Sequence, residues 1–157
     1  MQTVTEITAV SETRMQEAET LHQANLYEGA IYLAGYSLEL AFKAKICERL
    51  GIPNLFHEGF VQAYRKGVSG MEFDRASDFR RFFMVHDIAK LFLLSGLSTQ
   101  YEQDKVTNPS LLTSWTCICL TKWSEQVRYE LRGQRTEIES ADFIKAIKTL
   151  SAWILSN

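Results

Sequence analysis

From Gly29 to Phe42 the chain reads GAIYLAGYSLELAF, small or apolar at nearly every position, with one charged residue, Glu39. A helix of that composition has no broad polar face to give to water, so it belongs inside a bundle, with neighbours on several sides. Extended over Leu26 to Leu50, it spans roughly 37 Å at about 1.5 Å per residue, the height of a small domain. Gly51 offers a left-handed cap and Pro53 cannot continue a helix, so the end is marked too. Gly35 within the run costs about 1 kcal/mol relative to alanine, which close approach of a neighbouring helix would offset.

The flanking segments also read as helices. Ser11, followed by Glu12, marks the start of the first, with Met15, Ala18, Leu21 and His22 as an apolar stripe and Asn25 as its end. Residues 1–10 are either a frayed extension of that helix or a short extended arm. Glu58 to Lys66 suits a short helix before a loop through Gly67 and Gly70, and Asp78 can cap another running into Phe83. His86 to Ser95 (HDIAKLFLLS) puts Ile88, Leu91, Phe92 and Ser95 on one side, with Gly96 as terminator; Ser98 can cap a short polar helix through Lys105. Asn108-Pro109 is a helix start, a capping side chain followed by proline at the first helical position. The helix it opens carries Leu111, Trp115, Cys119, Trp123 and Val127 and is expected to stop at Gly133. Thr136 or Ser140 opens the last helix, with Phe143, Ile147, Leu150 and Ile154 on one stripe. With 157 residues and no repeat, low-complexity tract or linker, the reading is a single all-α domain, a four-helix-type bundle with short extra helices in 52–106.

A net charge of -2 supplies no global field for nucleic acid, so any such binding must come from a local patch. The three cysteines are an odd count without paired spacing, which argues for a reducing compartment. Cys117 and Cys119 lie two apart in a helical stretch and point to different faces, so no metal or other cofactor is expected. The first ten residues lack a basic segment leading into an apolar run, and no apolar stretch is long enough to span a bilayer. The expected compartment is the cytoplasm, with no membrane partner.

Three groups of residues can carry chemistry. Glu39 sits either on a narrow exposed strip or buried with a partner, because an unpaired buried charge is very costly. Tyr32, Tyr36, Glu39 and Lys43 share one helical stripe, and Lys43 is placed to pair with Glu39 four residues before it. His86-Asp87 opens a helix, where either residue can cap; alternatively His86 is a general acid/base or ligand. Arg128, Arg132 and Arg135 with Tyr129 suit an RNA or phosphate surface, although Glu125 and Glu130 dilute it and cations at a helix end are favourable without a ligand.

The run LYEGAIYLAGYSLELAFKAKI resembles the second helix of the HEPN (higher eukaryotes and prokaryotes nucleotide-binding) domain family. Glu12 to Asn25 resembles the family's first helix, VHDIAKLFLLSGL its His-Asp-Leu segment, and WSEQVRYE with the Phe143–Trp153 helix its closing part, together covering roughly residues 11–155. The resemblance implies a four- to five-helix up-and-down bundle and often a homodimer. It also implies either a metal-independent ribonuclease, as in toxin and defence proteins, or a non-catalytic module that binds nucleotide, RNA or a nucleotidyltransferase-type protein partner. The ribonuclease members carry an arginine followed a few residues later by a histidine, and Arg81 and His86 fit with four residues between them. Phe82 departs from the polar residue expected after that arginine, and no histidine follows Arg128. The favoured expectation is therefore binding without strong catalysis, through Tyr36, Glu39, Lys43, Asp87, Arg128 and Tyr129, together with His86. The second is an RNA endonuclease using Arg81 and His86, and the third a pure assembly protein.

Overall fold

The computed structural model describes residues 3–62 and 70–157, and among them every regular element is a helix. In chain order these are α1 (Val4–Gln23), α2 (Tyr27–Leu50), α3 (Gly70–Phe83), α4 (Ile88–Leu94), α5 (Ser98–Thr107), α6 (Pro109–Thr121), a 3-10 helix (Glu125–Tyr129) and α7 (Glu137–Ser156).

The central helix lies where its composition puts it. Leu26 is the N-cap of α2 and Gly51, in the left-handed conformation, ends it. Its neighbours are α1, α4, α7 and the 3-10 helix. Small residues let α1 come close: Leu21 touches Gly29, and the buried Ser11 hydroxyl donates to the Ser37 carbonyl at 2.8 Å. From α7, Phe143, Ile147, Leu150 and Ile154 are all buried, as their spacing predicts. Phe42 meets Phe92 of α4 edge-on, and a ring cluster continues from Phe92 through Tyr101 and Trp115 to Trp153.

Three boundaries differ from the sequence reading. The first helix starts at Val4, because Thr3 and Glu6 form a reciprocal capping box that ties down the segment expected to be an arm or a frayed end. Asp78 caps nothing: it lies inside α3, which already includes Gly70, where a loop was expected. Of the short helix expected over Glu58–Lys66, residues 60–62 are helical, while residues 63–66 and the loop at Gly67 lie outside the described residues. The helix opened at Asn108-Pro109 ends at Thr121 rather than Gly133, since Lys122 takes a left-handed conformation (φ 50°) and Ser124 caps the separate 3-10 helix. Trp123 and Val127 still point inward, but from two different elements, which is why their spacing imitates one helix.

The turn at Lys122 delivers Trp123 onto Gly35. A Cβ at Gly35 would overlap the indole ring, whose Nε1–H donates to the Tyr32 carbonyl at 3.2 Å. The glycine thus admits a side chain, where a neighbouring helix was expected.

Candidate functional site

Glu39 is 1% exposed, and two side chains meet its carboxylate. Lys43, one turn later, donates from Nζ to Oε1 at 2.6 Å and lies over the Phe56 ring. His86 approaches with Nδ1, 3.0 Å from Oε1 and 3.1 Å from Oε2. The acid in the apolar helix is therefore buried and partnered, one of the two arrangements its sequence setting allows.

His86 reaches it from the linker between α3 and α4, just before Asp87. The Asp87 side chain caps α4, accepting the Lys90 N–H at 3.1 Å. That cap sets the direction of the linker, and the imidazole falls back onto α2. Its side chain remains 53% exposed, and Nε2 faces Glu125 of the 3-10 helix at 3.7 Å. A carboxylate on Nδ1 fixes the ring's orientation and leaves Nε2 at the surface, an arrangement able to accept or release a proton there.

The 3-10 helix joins the same face. Arg128 lies over the Tyr129 ring, 4.7 Å from its centroid, and also interacts with the Tyr32 phenol. Tyr32 stacks with Tyr36 at a centroid separation of 6.4 Å. Burial pushes the Tyr36 phenol above its ordinary pKa, with Glu39 and Tyr32 adding to the shift and Arg14 opposing it. Contacts thus run from Arg128 through Tyr32 to Tyr36, whose phenol feels the Glu39 charge, and from Glu39 through His86 to Glu125, on the element that carries Arg128.

Of the residues singled out in the sequence, Tyr36, Glu39, Lys43, His86, Arg128 and Tyr129 fall along this face, while Asp87 serves as a cap. Arg128 and His86 are not joined directly by a hydrogen bond or ion pair. Arg81 is exposed on α3, and its guanidinium makes no hydrogen bond or ion pair with any described residue, His86 included. Arg80 beside it points inward, to the carbonyls of Leu55 and Phe56. Arg135 is held by Glu130 through two bonds of 2.7 and 2.6 Å, so it is not available to the face.

Two participants escaped the sequence reading. Glu125 stood only as a charge diluting the arginines; the cap at Ser124 was the local signal for its separate element. Glu28 is buried, and its Oε1 accepts the N–H groups of Gly133, Gln134 and Arg135 at 2.8, 2.7 and 2.9 Å. Burial alone would raise its pKa, but the N–H groups of Arg135, Gln134 and Gly133, together with its own, prevail and the carboxyl is lowered. That bond set anchors the loop between the 3-10 helix and α7 on the first turn of α2, which in turn seats Arg128 and Tyr129. Among the described residues no cluster has the make-up of a metal site, and no helix is long and apolar enough to cross a membrane. No family model, curated protein or solved structure matches the chain.

Proposed function

We propose that the chain is an HEPN-like helical bundle that binds a nucleotide or a short RNA segment on the face formed by Tyr32, Tyr36, Arg128, Tyr129 and His86. The observation that carries this reading is the half-exposed His86, pinned by buried Glu39, on the same face as an exposed guanidinium laid over a tyrosine. An arginine on an aromatic platform suits a phosphate beside a base, since the guanidinium hydrogen-bonds phosphate while the rings stack. Glu39 is balanced by Lys43, so its charge is not presented to an incoming anion, and Glu125 is turned towards His86. Calorimetric titration with nucleoside monophosphates and a short oligoribonucleotide tests it. Binding should weaken at least about tenfold in Arg128→Ala, a loss of about 1.4 kcal/mol. Absence of binding at millimolar ligand, or affinity indifferent to Arg128→Ala and His86→Ala alike, rejects the reading.

The Glu39–His86 pair favours one further reading, a metal-independent RNA endonuclease in which His86 moves protons and Arg81 holds phosphate. RNA cleavage in the presence of a chelator, abolished by His86→Ala and by Arg81→Ala, is its expected signature. Arg81 makes no hydrogen bond or ion pair with His86, so RNA would have to bring the two together; cleavage indifferent to Arg81→Ala removes this assignment.

A further inference from the structure

Tyr32 and Tyr36 are half-buried on α2, and the helix period shows what flanks them. At about 100° per residue, Gly29 and Ser37 lie to one side of the two tyrosines and Gly35 to the other. The first side belongs to α1, where Leu21 touches Gly29 and Ser11 bonds Ser37. The second belongs to Trp123, which covers Gly35 and leads into the 3-10 helix that carries Arg128. The tyrosine pair is therefore the floor of a groove walled by α1 and by the 3-10 segment.

The α1 wall has an arginine of its own. The Ser11–Ser37 and Leu21–Gly29 contacts make α1 and α2 antiparallel. Arg14 precedes Leu21 by seven residues and Tyr36 follows Gly29 by seven, about two turns in each helix, so Arg14 comes to the edge of Tyr36. Its charge is felt there, opposing the rise of the Tyr36 phenol. Glu17 takes only Nη1, in a surface pair that contributes little. Nε has no acceptor among the described residues, so the guanidinium has donors to spare. Arginines thus flank the pair from both walls, Arg128 at Tyr32 and Arg14 at Tyr36, with the ring centroids 6.4 Å apart. A nucleoside 5′-monophosphate stacked on this floor offers a phosphate to one of them. A nucleoside within an RNA strand has a phosphate on each side and offers one to both.

We infer that the groove takes a nucleoside phosphorylated at both its 5′ and 3′ positions, as within an RNA strand, with Arg128 holding one phosphate and Arg14 the other. The inference rests on the nucleotide reading above and adds the second phosphate and the residue that binds it. Calorimetric titrations with adenosine 5′-monophosphate, adenosine 5′-diphosphate and adenosine 3′,5′-bisphosphate test it, the last two having equal numbers of phosphates in different places. The bisphosphate should bind at least about tenfold more tightly than either of the others. Arg14→Ala should remove that advantage and leave the monophosphate affinity within about twofold, whereas Arg128→Ala should weaken all three. For a short oligoribonucleotide, Arg14→Ala should also reduce the dependence of log affinity on log salt by about 0.7, the loss of one phosphate contact, which a merely structural role would not move. A bisphosphate no tighter than the diphosphate, or an Arg14→Ala loss that is equal for monophosphate and bisphosphate, overturns the inference. If the monophosphate still binds and depends on Arg128, the nucleotide reading survives that failure; if none of the three binds, both fall.

Discussion

Helices α2 and α6 reverse the usual relation between polarity and burial. The uncharged α6 lies at the edge with two leucines in water, whereas α2 occupies the centre and buries Glu28, Glu39, Lys43 and Lys45. Position in the bundle follows from how many sides a helix can cover with small or apolar groups, and α2 has such groups almost all round. Its charges persist because each has a partner: Glu28 takes three backbone N–H groups, Glu39 takes Lys43 and His86, and Lys45 takes Glu48. No described element of the same chain covers the outer side of α6, so its apolar surface stays outward. A buried ion pair adds little net stability, yet removing one member leaves a charge that nothing compensates.

That asymmetry gives the largest expected effect. Glu39→Ala should cost about 3–5 kcal/mol, because the Lys43 ammonium is left buried without its carboxylate. Exchanging both partners for apolar residues, Glu39→Leu with Lys43→Met, should cost far less and turn this stretch of α2 into an α6-like helix. Urea denaturation midpoints measure both. Equal losses in the single and double variants would mean that packing, not charge matching, holds this part of α2.

Gly35→Ala tests the closeness of the packing around α2. The new methyl collides with the Trp123 indole, and overpacking of this kind costs about 1–3 kcal/mol. A coupling should appear in the cycle with Trp123→Ala, where the ring is gone and the alanine fits. Additive effects would place the strain elsewhere.

Glu28→Gln weakens the triple acceptor at the start of α2 and should lower stability by about 1–3 kcal/mol at neutral pH. The sign with pH follows from the depressed carboxyl. The ordinary value is 4.5 and the folded value lies below it, so the contribution is fully present above the ordinary range. It fades as pH falls through the folded value. Denaturation midpoints from about pH 6 to about pH 3 should therefore drop more steeply in the native protein than in the Gln variant. Parallel slopes would remove Glu28 as a source of acid sensitivity.

The features of the chain differed in how far the sequence revealed them. The end of α2 followed from a local signal, Gly51 with Pro53, the start of α7 from Thr136, one of two caps the sequence left open, and the Tyr32–Lys43 stripe from helical spacing alone. The α1 start was also written locally, as Thr3 with Glu6, but it was hidden by the stronger-looking Ser11. What one-dimensional spacing could not reveal was the break at Lys122. Trp123 and Val127 continue an apparent helical period, although a turn separates them and Trp123 is drawn to Gly35, far away in sequence. For the same reason Glu28 gave no sign of its role: its partners are backbone groups more than a hundred residues later. Of the Glu39 partners, Lys43 was readable as an i+4 neighbour, whereas the His86 contact depends on the fold closing a separation of 47 residues.

Cysteines carry the comparison to its smallest effect. Cys47 lies fully buried on α2, and burial pushes its thiol up to about 11, against backbone N–H groups of Leu55 and Phe56 that act the other way. At about pH 8 only about one molecule in a thousand then carries the thiolate that attacks a disulfide reagent, and access is blocked as well. Cys119, on the outer side of α6, is exposed, and Cys117 is half-buried with its thiol raised by desolvation. Ellman's reagent on the native protein should label Cys119 first, Cys117 more slowly and Cys47 only after unfolding. Cys119→Ser should remove the fast phase while changing stability by less than about 0.5 kcal/mol, as for other exposed sites. Fast labelling that survives this change would mean that α2 opens to solvent in the native state, and the division between a sealed centre and an open edge would fail.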